Sequence, residues 1–547
     1  MQLLNFFRKT QPVEVVRKEP KIAPRHRMPA QFGQLRSFMA ASNDRLVADL
    51  ARAAIFQSGN AEVRGAIRIL RARSRQLSND SEYPKRVLSL YRQNVIGAHG
   101  IGLQMKIQKP DGSMDRDANN EIERAWEIQS KQTNFSADGR TCRAAFERAA
   151  IHNCARDGEV IVEKCYSRRF KYGIAFRFVD PDLLDETLNV PRGAFSVNGV
   201  RKELNSEIRM GVEVDEFERP IAYWFHTVHP GDDFVGGGVL NGYVRKEAKY
   251  IIHAFLNEQQ RPGVYRGVPW MFAAIRRIAM LLGYEEAALV NARVGASKML
   301  YYKQPEDALG EAAGSSFGKD DEEDEQDERD FLKTEMEAGS IGLLPKGWSI
   351  ETWDPTYPND QMQTFVKQML RAFSAGMGVN YNSLSSDLEN VSLSSLRHGA
   401  NADRDTYEEL QHWFIEQVEL PMFEAWLEIA LDIGAIGRLP GNAFDRFNFP
   451  QFFARQFRSP DPQKDVAADA QAVALGIKSR TQICNERGVD FEEVLNELAL
   501  EEKMAKEKGV TLNTKAATAH KNPAVDDAGK VSKKPDDDDD KEGDDDE

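Results

Sequence analysis

The stretch MQTFVKQMLRAFSAGMG, Met362 to Gly378, decides the reading of this chain. Met362, Phe365, Val366, Met369, Leu370 and Phe373 recur at steps of three and one, which puts all six on one stripe of an α-helix. Lys367 and Arg371, four apart, fall off that stripe on a common face. Upstream, a second helical pattern runs from Pro269 to about Lys298, with Phe272, Ile275, Ala279, Leu282, Leu289 and Ala292 as its apolar positions. At roughly 30 residues it would be about 45 Å long. Between the two lie KDDEEDEQDERD (Lys319 to Asp330) and short β-like pieces around Ile341 to Leu344 and Ile350 to Trp353, ending at the turn Asp354-Pro355. The implied shape is a helical hairpin with a separate tip. Such a hairpin cannot bury its apolar stripe alone, and a ring of copies does so through a closed heterologous contact. The six stripe residues are therefore the subunit-interface candidates. Lys367 and Arg371 are left to face either a central hole or a carboxylate such as Glu285 or Glu286.

The formal charge of −14 is concentrated in two runs. Lys319 to Asp330 holds nine acids against two bases, and Asp536 to Glu547 holds ten against one, so the rest of the chain sums to about +2. A near-neutral body with two acidic runs excludes a DNA-coating protein, which would carry a basic patch for phosphates. Each run reads as a solvated spacer, or as charge that repels duplex from surfaces where it must not stick. At 547 residues several domains are expected, and 41% hydrophobic content suffices for real cores. No run approaches the roughly 18 consecutive apolar residues of a membrane span. The opening MQLLNFFRKT is too short in apolar residues for a signal-peptide core. Cys142, Cys154, Cys165 and Cys484 form no CxxC pair and no disulfide framework, which suits a reducing cytoplasm.

In chain order, the Arg-, Lys- and Pro-rich arm to about Arg36 reads as extended: a disordered terminus, or a strap to neighbouring subunits or nucleic acid. Helices are expected from Asp44 to about Arg73, from Glu82 to Ile96 with a stop at Gly97, from Ile122 to Gln132 and from Thr141 to Ala155. Strands follow at Glu159 to Tyr166, Ile174 to Asp180, Glu207 to Glu216 and Pro220 to Thr227. Strands grouped between helical blocks argue for an α+β, mainly helical chain. The Asn- and Ser-dense segment after Gly378 reads as a loop, because such side chains bond their own backbone. A long helix from about Ser394 to Ile433 should bend near Glu419, since Pro421 cannot donate to the ladder. Ser479 with Gln482, and Asp490 with Glu493, match capping boxes that start helices at Arg480 and Phe491. Lys508 to Glu547 loses periodicity and reads as a disordered acidic tail.

No catalytic constellation is present: HExxH, GxSxG and Walker A are all missing, and HPGDDFVGGGVLNG (His229 to Gly242) lacks phosphate-loop spacing and reads as a surface loop. His226 and His229 have no third ligand in view, so no metal and no cofactor is expected. A cysteine hydrolase using Cys142 or Cys154 with His152 is the enzymatic rival. It fails on spacing, since His152 and Cys154 lie two apart on a helix and so on diverging faces.

The runs RGVPW (Arg266 to Trp270), GYEEAALVNARVGASKM (Gly283 to Met299), GSIGLLPKGWSIETWDPTYPN (Gly339 to Asn359) and FVKQMLRAFSAGMGVNYNSLSSDLENVSLSSLR (Phe365 to Arg397), in this order, resemble the lambda-type portal proteins of tailed bacteriophages. The resemblance implies a portal fold: a basic arm over 1–36, a wing over 37–265, stem helices over 266–300 and 359–378, and a clip with the acidic insertion over 301–358. A channel (tunnel) loop over 379–396, a long kinked wing helix over 397–440, a helical crown over 441–507 and the tail over 508–547 complete it. It further implies a ring, twelve copies being the family's usual number, that passes double-stranded DNA into and out of the capsid. Expected partners are the terminase large subunit, a head-completion or head-tail joining protein and the major capsid protein, with no membrane. A scaffold or adaptor that touches the portal is the alternative. The channel loop would contact DNA weakly and reversibly, because each phosphate gripped adds affinity that slows sliding. Lys367, Arg371, Asn380, Asn382, Ser385, Ser386 and Asn390 are the DNA-channel candidates. The resemblance also places the finished protein in the virion after assembly in the bacterial cytoplasm.

Overall fold

A computed structural model describes residues 16–17, 58–197, 200–204, 206–232, 242–256, 261–296, 300–303, 349–352, 362–389, 391–437, 439–441, 443–457, 462–486, 489 and 491–510. The chain divides into two compact units, Met1–Val466 and Ala467–Glu547.

In the first unit, helix α1 (Gly59–Asp80) starts where Ser58, in an extended conformation, accepts the amide of Ala61, and it buries Val63, Ala66, Ile67 and Leu70 at helical spacing. Helix α2 (Glu82–Tyr91) widens into a π-helical turn over Arg92–Ile96, and Gly97 at φ 82° ends it as the sequence suggests. Helices α3 (Arg116–Gln129), α4 (Gln132–Phe135) and α5 (Arg143–Asp157) follow. The end of α5 is crowded: Gly158 sits at φ 92°, and a Cβ there would lie 2.2 Å from the carbonyl carbon of Val268. Only glycine lets the RGVPW run pass so close.

Strands β3 (Val160–Tyr166) and β4 (Ile174–Val179) join β11 (Ile251–Ala254) in an antiparallel sheet of order β11-β3-β4. A second sheet runs β1 (Val16–Arg17), β10 (Gly242–Glu247), β9 (Pro220–His226), β8 (Val212–Val214), β7 (Glu207–Arg209). Two antiparallel pairs stand apart from these sheets, β5 (Gly193–Val197) with β6 (Val200–Leu204) and β2 (Gly102–Met105) with β14 (Pro450–Phe453). The stretch Glu207 to Glu216, expected as one strand, is thus a hairpin. Met210 and Gly211 both take positive φ, 51° and 82°, the geometry of a two-residue turn that matches strand twist. Two residues of the N-terminal arm pair with the edge of this sheet, Val16 opposite Tyr243.

The first long helix, α6 (Ile275–Ala296), begins six residues later than its proline suggested. The backbone from Pro269 to Ala274 coils in overlapping turns, Phe272 bonding Pro269 and Trp270 bonding the carbonyl of Ala155. Its 22 residues span about 33 Å. The β-like piece expected at Ile350 is strand β13 (Ser349–Thr352), and its partner β12 (Leu300–Lys303), which the sequence did not suggest, links the chain on either side of residues 304–348. The acidic run Lys319 to Asp330 and the piece around Ile341 lie outside the described residues, as does the tail from Thr511.

Helix α7 (Met362–Met377) packs on α6, with the Tyr284 and Phe365 rings 4.9 Å apart. A short helix α8 (Tyr381–Ser385) interrupts the expected loop. Helix α9 (Leu393–Phe414) passes through a π-helical turn, Ile415–Glu419, into α10 (Leu420–Asp432). Just ahead of Pro421, where the sequence suggests a bend, the helix carries one widened turn. The core closes where Trp126 of α3 meets Phe423 and Trp426 of α10 at ring distances of 5.3 and 4.9 Å. Leu370 and Phe373 belong to this same core, Phe373 with no exposed surface. Of the six stripe residues, Leu370 and Phe373 are thus buried by the subunit's own chain. Phe365 is 45% exposed, while Met362, Val366 and Met369 are half-buried. The short α11 (Phe444–Phe447) precedes β14, and α12 (Pro462–Ala474) runs across the boundary between the units. In the second unit, α13 (Arg480–Glu486) starts where Ser479 accepts the amide of Gln482, and α14 (Phe491–Lys508) starts at Phe491, both as the capping boxes suggest.

Candidate functional site

The corner between α7 and α9 gathers most of the candidate residues. Gly378, at φ 64°, turns the chain out of α7, and Asn380 caps α8 by accepting the amide of Asn382 at 3.0 Å. Asp403 of α9 anchors the corner from below, accepting the Asn380 amide and the Ser383 hydroxyl, each at 2.7 Å. Burial pushes the Asp403 carboxyl up, and these two hydrogen bonds pull against it. Ser386 follows α8 in the left-handed region at φ 57°, and this places Asp387 back over α7. There Asp387 Oδ2 meets Lys367 Nζ at 2.6 Å and accepts the Tyr381 hydroxyl at 3.0 Å. The Tyr381 ring lies 5.7 Å from Lys367 Nζ and 5.5 Å from the Arg371 guanidinium. The hydrogen bond to Asp387 raises Lys367 above the ordinary lysine range, and Lys367 in turn holds Asp387 below the usual carboxylate range.

Lys367 and Arg371 therefore do share a face, but the carboxylate that meets Lys367 is Asp387, not Glu285 or Glu286. Glu285 instead accepts the hydroxyl of Tyr83 at 3.1 Å. Asn380 and Ser385 spend their side chains on local bonds, Ser385 donating to the Tyr381 carbonyl. Asn382 is half-buried, Ser386 is exposed, and Asn390 lies outside the described residues.

Elsewhere, the pairing of Cys154 with His152 that an enzymatic rival would use is not formed. Cys154 is fully buried, with its thiol pushed well above the ordinary range by burial and its Sγ 3.9 Å from the carbonyls of Gly158 and Ala254. Burial and Arg156 hold His152 down at about 4, and its buried Nδ1 meets no hydrogen-bond partner, cysteine included. His229 does approach Asp180 and Asp182, whereas His226 stacks on Tyr243 near Asp185. Arg75 already spans both aspartates and Arg71 reaches Asp182, so guanidinium charge stands where a cation would have to sit. Among the described residues no helix is long and apolar enough to cross a membrane.

The family model for phage portal proteins of the lambda family matches residues 51–411. A probable portal protein of Halomonas phage phiHAP-1 is 32% identical over 499 residues, covering 91% of this chain and 90% of that protein. This chain belongs to the lambda family of phage portal proteins. Portal protein B of Escherichia phage lambda is 21% identical over 505 residues, 84% of this chain and 86% of its own length. Among solved structures, the neck of an empty GTA particle aligns over 81% of this chain and 98% of that one, at 12% identity and a TM-score of 0.38, too weak a likeness to argue from. As a portal protein the chain is a structural subunit of the ring at a capsid vertex, and its family is not an enzymatic one.

Two buried ionic centres in the portal subunit were missed in the sequence; of their pairs only Arg143–Glu147 is local, four apart on α5, and the others meet only after folding. The first joins the β11-β3-β4 sheet to the run that precedes α6. Glu159, fully buried, accepts Arg266 Nη2 at 2.7 Å, Arg71 Nη2 at 2.5 Å and the Gly267 amide at 2.9 Å, with His253 Nε2 at 3.1 Å. Burial alone would push Glu159 up, but Arg266, Arg71 and His253 outweigh it and hold the carboxyl well below its ordinary range. Arg266 is the first residue of the RGVPW run, so this run enters the core through a charge. The second centre lies at the widened turn. Arg143 Nη1 donates to Glu147 at 2.5 Å and to Glu419 at 2.8 Å, and Glu419 is the last residue of the π-helical turn. One guanidinium faces two buried carboxyls. Burial and the Glu419 charge push Glu147 up to about 8, and burial also raises Glu419.

Proposed function

We propose that twelve copies of this portal subunit surround a channel for double-stranded DNA, entered during packaging and left during ejection. In this reading residues 37–265 and 397–440 form the wing, α6 and α7 the stem, residues 301–358 the clip, 379–396 the channel loop and 441–507 the crown. The terminase large subunit and then a head-completion or joining protein dock on the clip, and the major capsid protein surrounds the wing. Assembly takes place in the host cytoplasm.

The observation that carries the reading is the surface one subunit leaves open on its paired stem helices. Met280 is 63% and Leu289 67% exposed on α6, and Phe365 is 45% exposed on α7. Apolar side chains at this density on a helix pair call for a neighbour. With Leu370 and Phe373 spent internally, the seam we assign is Phe365, with the half-buried Met362, Val366 and Met369, against the outer face of a neighbouring α6. The channel contact is assigned to Arg371, Lys367 and the polar corner beyond them. Electron microscopy of the purified protein viewed down its axis tests this. A ring with a central hole is expected, and protein that stays monomeric at high concentration overturns the reading.

A further inference from the structure

We infer that Lys367, Arg371 and Tyr381 form an anion site for one backbone phosphodiester, and that Asp387 occupies this site in cis as a stand-in for the phosphate. The inference rests on the channel reading above and goes beyond it, since nothing there requires the cations to be occupied. The geometry carries it. A carboxylate held at once by an ammonium, at 2.6 Å, and a phenolic hydroxyl, at 3.0 Å, uses the donors a phosphate oxygen would use. Arg371, exposed and on the same face of α7, lies 5.5 Å from the centre of the same ring. The site thus offers two cations and a hydroxyl, and one carboxylate satisfies part of it.

Asp387 is also attached to a segment that can yield. On its N-terminal side α8 is anchored by Asp403 and by the buried Leu384. On its C-terminal side Leu388 and Glu389 are exposed, and among the described residues Asp387 is tied down by Lys367, Tyr381 and two short-range bonds, its own amide donating to the Ser385 hydroxyl and its carboxylate accepting the Glu389 amide. A phosphodiester that takes Lys367 displaces Asp387 without disturbing the buried anchor. A channel lined this way never presents bare lysines to the duplex. Each phosphate exchanges with a resident carboxylate, which lowers net affinity and keeps sliding contacts short-lived.

The test uses the full-length ring and a short fluorescein-labelled duplex, with anisotropy read over a range of salt. Asp387→Asn, similar in shape but uncharged, should tighten binding by up to about fivefold per engaged contact, the span expected for an exposed ion pair, and steepen the salt dependence. Lys367→Ala should cost little in the wild type and more in the Asp387→Asn background. Asp387→Ser, which also removes the carboxylate and leaves every donor of the site in place, should move binding in the same direction as Asp387→Asn, and it serves if that variant does not assemble. If Arg371→Ala and Lys367→Ala weaken binding while Asp387→Asn and Asp387→Ser match the wild type, the stand-in is overturned and the channel contact survives. If none of these substitutions changes binding, the channel contact at this corner fails, and the inference fails with it.

Discussion

Glu419→Gln is the substitution with the most specific consequence. In the wild type Glu147 and Glu419 share Arg143, so burial and mutual repulsion keep a proton on the pair that the unfolded chain would release. The sign is fixed by the direction of the shift. Both folded values are raised, so stability is fully present below the ordinary carboxylate range and is lost as pH climbs through the folded value. Glu147 moves from 4.5 to about 8, and at about 1.4 kcal/mol per unit this is on the order of 5 kcal/mol for Glu147. A glutamine amide at this position can keep the Oε1 acceptor that Arg143 uses. It forfeits nothing at the other oxygen, because Glu419 Oε2 is buried with no partner. Glu147 is then alone with the guanidinium and ionises without the second charge. Urea unfolding followed by tryptophan fluorescence, at steps from pH 5 to pH 9, should show the wild type weakening with pH and Glu419→Gln weakening much less. Trp126, whose ring faces Arg143 at 5.7 Å, is the local reporter. If the two midpoints run parallel across that range, the shared-proton account is wrong.

Three further outcomes follow from the same geometry. Glu159→Ala should cost about 3–5 kcal/mol, since it strands Arg71 and Arg266 in the core, and thermal melting should place it far below a surface Glu→Ala control. Phe373→Ala should lower subunit stability by about 3–5 kcal/mol, whereas Phe365→Ala should leave melting of the monomer nearly unchanged and reduce the ring fraction in sedimentation; equal effects from both would refute the division of the stripe. Gly158→Ala should destabilise by more than the roughly 1–3 kcal/mol of a strained backbone alone, because its Cβ would overlap Val268, and soluble yield together with the melting midpoint reads this.

The periodic parts of the molecule were legible in the sequence. The α7 pattern, the capping boxes before Arg480 and Phe491, the stop at Gly97 and the irregular turn before Pro421 all depend on local chemistry. What escaped depends on tertiary context. Whether Phe373 meets a neighbour or its own chain is set by α9 and α10, which the period of α7 does not encode. The start of α6 slipped because Pro269 marks a coil of turns tied to α5 rather than a first helical turn. Asp387 could not be paired with Lys367 until the left-handed Ser386 redirected the chain. The ionic centres at Glu159 and Glu419 unite residues far apart in sequence, such as Arg71 with Glu159 and Arg143 with Glu419, and no spacing rule reaches that far.

The pairing of Leu300–Lys303 with Ser349–Thr352 brings the two ends of the excursion over residues 304–348 to neighbouring-strand distance. Entropy for closing such a detour grows only with the logarithm of its length, each doubling costing about 0.6 kcal/mol. Once the neck of the detour is stitched, residues can be added or deleted beyond it at almost no expense to the helices beneath. Relatives of this chain can therefore differ in length over this stretch while keeping the helices and sheets that carry it.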